Sequence, residues 1–230
     1  MESFPPQPRY ASARRRAQWV CRLLVLQVVV SSASLVFAWS RLKGWPALPP
    51  GAKQNPVSFY GLIQSLLLLA KLFAWLLTAA LFLWWVHRAY ANLEPLGARD
   101  LHYTPTSAVV VFLIPFAYPF IPLRVVQELW LKSEPPGTET GTEEPPPWFI
   151  AWWGNCWLVY NFICPTGLAA SAEAVKQQPG WLQVQIFVEA WSIATALLAV
   201  RCVQAIDRRQ AESGNRQPQL DQPPPPPLYQ

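Results

Sequence analysis

Hydrophobic positions in this chain come in long unbroken blocks, not in the alternation of a half-buried strand. Residues free of Asp, Glu, Lys and Arg run over 23–40, 54–70, 72–86, 101–123 and 145–172, and 177–200 holds a single charge, Glu189. A helix rises about 1.5 Å per residue, so roughly 17–25 apolar residues cross a hydrocarbon core. Taking 54–86 as one element interrupted by Lys71, the pattern predicts an all-α integral membrane helical bundle. The expected transmembrane helices are four, at about 18–40, 57–87, 148–170 and 181–203, with a proline-broken fifth hydrophobic segment at 107–123. Around this domain, 17–207, lie a basic N-terminus, 1–16, and a proline-rich tail, 208–230, both expected to be disordered.

Two elements depart from a plain span. The second helix, about thirty residues, is longer than a bilayer needs, so it should tilt or protrude before Pro95 and Gly97 stop it. In 107–123, Pro115, Pro119 and Pro122 each remove a backbone donor and clash with the preceding turn. Inside lipid the freed carbonyls need partners, so this segment must be covered by protein or line a wet cavity.

Composition agrees: 52% of residues are hydrophobic and 13% charged, against about 25% charged in a soluble domain. Seven of the 13 tryptophans (Trp19, Trp39, Trp45, Trp148, Trp152, Trp153 and Trp181) fall near run ends, where an indole buries its rings and keeps its N–H wet. The net charge of +5 forms no single basic stripe, which argues against a nucleic-acid partner; the bilayer itself is the expected partner. Lys and Arg near span ends set orientation. If all five segments cross, the two sides carry eight and nine basic residues; if 107–123 returns to its own side, the count is thirteen against four. A rival in which 107–123 crosses and the Glu189 segment does not has twelve against five. The prolines favour the re-entrant arrangement, with both termini cytoplasmic in a bacterial cell membrane.

The stretch 84–130 resembles the bacterial multi-pass membrane proteins grouped as domain of unknown function 4328. The shared positions are Arg88, Tyr90, Asn92, Leu93, Leu96 and Gly97, then Tyr103, Thr104 and Pro105, then Pro115, Pro122, Gln127, Glu128 and Trp130, with Trp152 and Trp153 following. The resemblance implies an architecture and no reaction.

Arg88 and Asn92, four apart, share one helix face with Trp85. They are expected to donate to carbonyls freed by Pro115, Pro119 and Pro122, with Glu128 a second partner for Arg88; the alternative is an arginine snorkelling to headgroups. Lys71 and Glu189 sit inside apolar runs and form a candidate intramembrane pair, or else Lys71 snorkels and Glu189 is neutral. No HExxH, GxSxG or phosphate loop is present, and four cysteines without a CxxC pair and two histidines make a metal site improbable. No cofactor is therefore expected. These readings predict a non-enzymatic scaffold or small sensor acting through a membrane-protein partner or its own copies. The alternative is a small transporter or channel using Lys71, Glu189 and the broken segment.

Overall fold

The computed structural model describes residues 10–43, 56–114, 121–133, 145–169 and 180–220, apart from the side chains of 56–60, 161–169 and 217–220. These residues form six helices: α1 (Arg14–Leu42), α2 (Pro56–Ala91), α3 (Pro105–Val110), α4 (Ile121–Lys132), α5 (Trp148–Ala169) and α6 (Trp181–Leu220). No strand occurs among the described residues. Three helices are long and apolar enough to cross a membrane: α1, α2 over Gly61–Ala91, and α6 over Trp181–Arg216.

The packing order follows small residues. Along α1 the buried positions Ala17, Val20, Leu24, Ser31, Ser34 and Ala38 recur at three- and four-residue steps. On α6 the matching set is Glu189, Ser192, Ala196, Ala199, Val203, Ile206, Gln210 and Ser213. Where these faces carry serine and alanine, backbones can come close, which is how helices associate where lipid offers no hydrophobic drive. The α1–α6 seam is accordingly the most extensive in the molecule, followed by α1–α2 and α5–α6. α5 runs antiparallel to α6: the Trp191 indole donates to the Cys156 carbonyl at 2.9 Å, and Cys202 Sγ lies 3.9 Å from the Phe149 carbonyl. Leu123 of α4 packs where Gly154 of α5 has no Cβ; a methyl there would come within 2.5 Å of the leucine.

Outward faces are greasy. Leu62, Leu66, Leu69, Phe73 and Leu76 of α2 are exposed, and so are Val25, Val29 and Val36 of α1. Exposed Trp19 and Trp39 bound this band on α1, each with a cation over its ring: Arg22 at 4.9 Å and Lys43 at 5.4 Å. Twenty residues separate the two tryptophans, about 30 Å along a helix.

Two expectations change. First, α6 continues to Leu220 through what reads as the start of a tail, because Gln210 and Ser213 are buried against neighbouring elements and the Tyr10 ring packs on Gly214. Second, helix begins at Arg14 and Ala13 is buried, so structure reaches into 1–16. The segment 107–123 is broken, as its prolines led one to expect: α3 stops after six residues, a turn follows to Leu113, and α4 begins at Ile121. Pro115 and Pro119 lie outside the described residues, while Pro122 is buried in the first turn of α4, where a missing N–H leaves no gap. Both ends of this excursion meet the same end of the bundle. The Tyr103 amide donates to the Tyr90 hydroxyl at 3.2 Å, and Ser133, just past α4, joins Gln210 of α6.

Candidate functional site

Two polar clusters tie α2 to α6, and they share one register. Lys71 Nζ lies 2.5 Å from Glu189 Oε1 and 2.6 Å from Oε2, a two-oxygen grip on one ammonium. Asn92 Nδ2 donates to Gln210 Oε1 at 3.4 Å. Asn92 is 21 residues beyond Lys71, and Gln210 is 21 beyond Glu189. The helices therefore run parallel with polar fastenings about 31 Å apart.

The Lys71–Glu189 pair is shielded: the lysine side chain is 20% exposed and the glutamate 5%. A buried charge without its partner is expensive, so each residue serves as the other's counter-ion. Hydroxyl groups continue the polar line. Ser192, three residues on from Glu189, shares a 3.4 Å hydrogen bond with Ser31 of α1. One turn further along α1, Ser34 Oγ is buried and has no partner among the described residues.

At the arginine-bearing end Gln210 is a hub. Its Nε2 donates to the Ala89 carbonyl at 2.9 Å and to Ser133 Oγ at 3.1 Å, while its Oε1 accepts from Asn92. Ser133 Oγ in turn donates to the Leu129 carbonyl, and Ser213 Oγ donates to the Ser133 carbonyl at 2.6 Å. The N-terminal segment closes the cluster: the Ala11 amide donates to Asn92 Oδ1 at 3.4 Å, and Arg88 Nε donates to the Ala11 carbonyl at 3.2 Å. Next to Ala11, burial and then the Asp207 carboxylate push the Tyr10 phenol above its ordinary value. Arg16 donates to the Trp84 carbonyl at 3.1 Å and lies 4.1 Å over that ring.

Arg88 and Asn92 thus share a face, and among the described residues that face meets the N-terminal segment and α6; the expected carbonyls around Pro115 and Pro119 lie outside the described residues. Nor is Glu128 the partner of Arg88. Its Oε1 accepts from the His102 amide at 2.7 Å and faces His102 Nδ1 at 3.2 Å. The reason is rotational: Arg88 and Asn92 point toward α1 and α6, whereas Tyr90, two residues from either, points toward the loop before α3.

The other motif residues are structural here. Leu93 is fully buried, and its carbonyl accepts from the Ala98 amide at 3.0 Å. Gly97 closes the turns that follow α2 at φ 88°, a left-handed value that suits glycine. Tyr90 and Tyr103 meet edge to face at 6.4 Å. Thr104 caps α3 through a reciprocal pair with Ser107, and Pro105 occupies the first turn. Trp130 lies under the Arg209 guanidinium at 4.3 Å. Trp153 packs on Phe82 and Trp157, each at 6.2 Å, whereas Trp152 is exposed. Sequence reasoning missed Gln210, Ser133, Ser213 and the Tyr10–Ala11 segment. No sequence signal marked them: Gln210 and Ser213 lie in the polar stretch Asp207–Asn215, which reads as solvated.

Among the described residues no His, Cys, Asp and Glu cluster could hold a metal ion. A family model described as "Domain of unknown function (DUF4328)" matches residues 54–208. No curated protein and no solved structure matches the chain.

Proposed function

The chain belongs to the domain of unknown function (DUF4328) family, and from that premise we propose a multi-pass integral protein of the cell membrane that acts as a non-enzymatic scaffold or small sensor through protein partners. Four helices, α1, α2, α5 and α6, cross the bilayer. The excursion 105–133 re-enters from the cytoplasmic side, and both termini are cytoplasmic. One observation carries this reading: the polar side chains of α2 and α6 grip each other in a single register, while the outward faces of α1 and α2 are apolar between Trp19 and Trp39. A bilayer-embedded body whose Lys71 and Glu189 are paired internally offers partners its exposed cytoplasmic surface, where Arg99, Arg124, Arg201 and Arg208 stand.

Two measurements test it. Single cysteines at His102 and Glu212 in a cysteine-free background should react only from the cytoplasmic side, and one at Lys43 only from outside; any other pattern defeats the topology. In-cell photocrosslinking from Arg99 and Arg208 should capture a discrete membrane-protein partner, or a second copy of this chain. Loss of that product on reversing both charges supports the scaffold reading, and absence of any product sinks it.

A transporter or channel is the second reading, supported by the shielded Lys71–Glu189 pair beside the Ser31–Ser192 hydroxyls. It requires substrate-dependent flux in proteoliposomes that Glu189→Gln abolishes.

A further inference from the structure

Between α2 and α5 lies a half-open cavity of about 190 Å³, floored by α1 and α6. It begins about one turn along α2 from Lys71, at Trp75, and is closed toward the arginine-bearing end by an aromatic plug. In that plug Phe82 meets Phe112 edge to face at 5.8 Å and Trp153 at 6.2 Å. Phe112 follows α3, so the excursion supplies the stopper.

The lining states what chemistry would fit. No residue lining the cavity is charged, so an ionic headgroup would lie desolvated and unpaired. Trp75, Trp153 and Trp157 present rings along the walls, which suit a planar ring in offset or edge-on contact. The polar groups are few: the Tyr160 hydroxyl, Ser192, which is bonded to Ser31, and three others. Thr78 Oγ1 donates to the Ala74 carbonyl at 2.7 Å, and Thr195 Oγ1 to the Trp191 carbonyl at 2.9 Å, so each leaves lone pairs available as an acceptor. Gln27 lines the floor and makes no hydrogen bond to another described residue, leaving an amide that both donates and accepts. A plain acyl chain would leave that amide unmatched in a water-poor setting. A ketone could only accept. A ring hydroxyl accepts from the Gln27 amide and donates to a threonine oxygen.

We propose that this cavity binds an uncharged, ring-bearing membrane lipid with a hydroxyl on the ring, of the quinol or phenolic class. The proposal rests on the membrane placement argued above and is independent of the scaffold role. Ligand occupancy between α2 and α5 would press on Phe82 and Phe112, and so on the excursion that carries α3.

The test uses the full chain in detergent micelles and a decyl-chain hydroquinone kept reduced, with its dimethyl ether as the control that lacks donors. Equilibrium dialysis should show the hydroquinone bound at least ten-fold more tightly than the ether. Gln27→Leu, of similar size, should weaken hydroquinone binding ten-fold or more while leaving the melting temperature unchanged or higher. Ala79→Phe, which fills the wall, should abolish it. Equal binding of hydroquinone and ether, or full affinity in Gln27→Leu, overturns the assignment. Because binding is read in micelles, its failure is separate from a failure of the thiol-labelling topology.

Discussion

At the scale of single residues, buried polar groups in this molecule succeed only as sets. Lys71→Met leaves Glu189 shielded and unpaired, a loss of about 3–5 kcal/mol for a broken buried pair. The double change Lys71→Met with Glu189→Gln removes both charges and should recover most of the loss, and exchanging the two residues should recover it too. Thermal melting in detergent distinguishes these cases; a single variant as stable as its double would show that the pair contributes nothing. Gln210 makes a parallel case at the other end. Gln210→Leu keeps the volume but strips partners from Asn92, the Ala89 carbonyl and Ser133, costing about 2–4 kcal/mol as one to two buried groups go unmatched. Hydrogen exchange should rise at Asn92 and around Ser133 in that variant. The two charged residues could be picked from sequence, since an ionisable group in an apolar run is conspicuous. Gln210 could not, because a glutamine in the polar stretch Asp207–Asn215 looks solvated until a neighbour buries it.

Elements obey length and local chemistry until packing intervenes. The Thr104–Ser107 capping pair and Pro105 start α3, yet it lasts six residues, since the prolines beyond it bar continuation. α6 does the reverse and runs 40 residues: its last turns hold through Gln210, Ser213 and the contact of Gly214 with Tyr10. A Cβ at Gly214 would lie 2.8 Å from the Tyr10 ring. Gly214→Val should therefore detach the Tyr10–Ala13 segment, read as faster proteolysis before Arg14 while the rest of the bundle keeps its protection. Along the α1–α6 seam, Ala38 is fully buried. Ala38→Leu should overpack it and lower stability by about 1–3 kcal/mol, whereas the same exchange at exposed Ala194 should be near neutral.

Across the whole molecule, the distance between fastenings is the governing length. The Lys71–Glu189 and Asn92–Gln210 clusters are separated by about 31 Å, and Trp19 and Trp39 by about 30 Å, close to one hydrocarbon thickness. Stability in reconstituted bilayers should therefore peak at lipids with a core near 30 Å and fall off on both sides, by fractions of a kcal/mol per Å of mismatch. A melting temperature indifferent to chain length would separate the tryptophan belts from any role in bilayer matching.

The sequence by itself determined the helical class, the positions of the apolar runs, the break at the prolines and the family, because those depend on local content: run length, charge, and residues that cannot donate or cannot turn. It also marked Lys71 and Glu189 as unusual. Only the tertiary structure decided that they meet, that Arg88 and Asn92 hold the N-terminal segment and α6, and that Glu128 takes the His102 amide. Those outcomes depend on the rotation of each helix about its axis and on contacts between residues as many as 118 apart, and an apolar run that is greasy on every side does not state which side will face a neighbour.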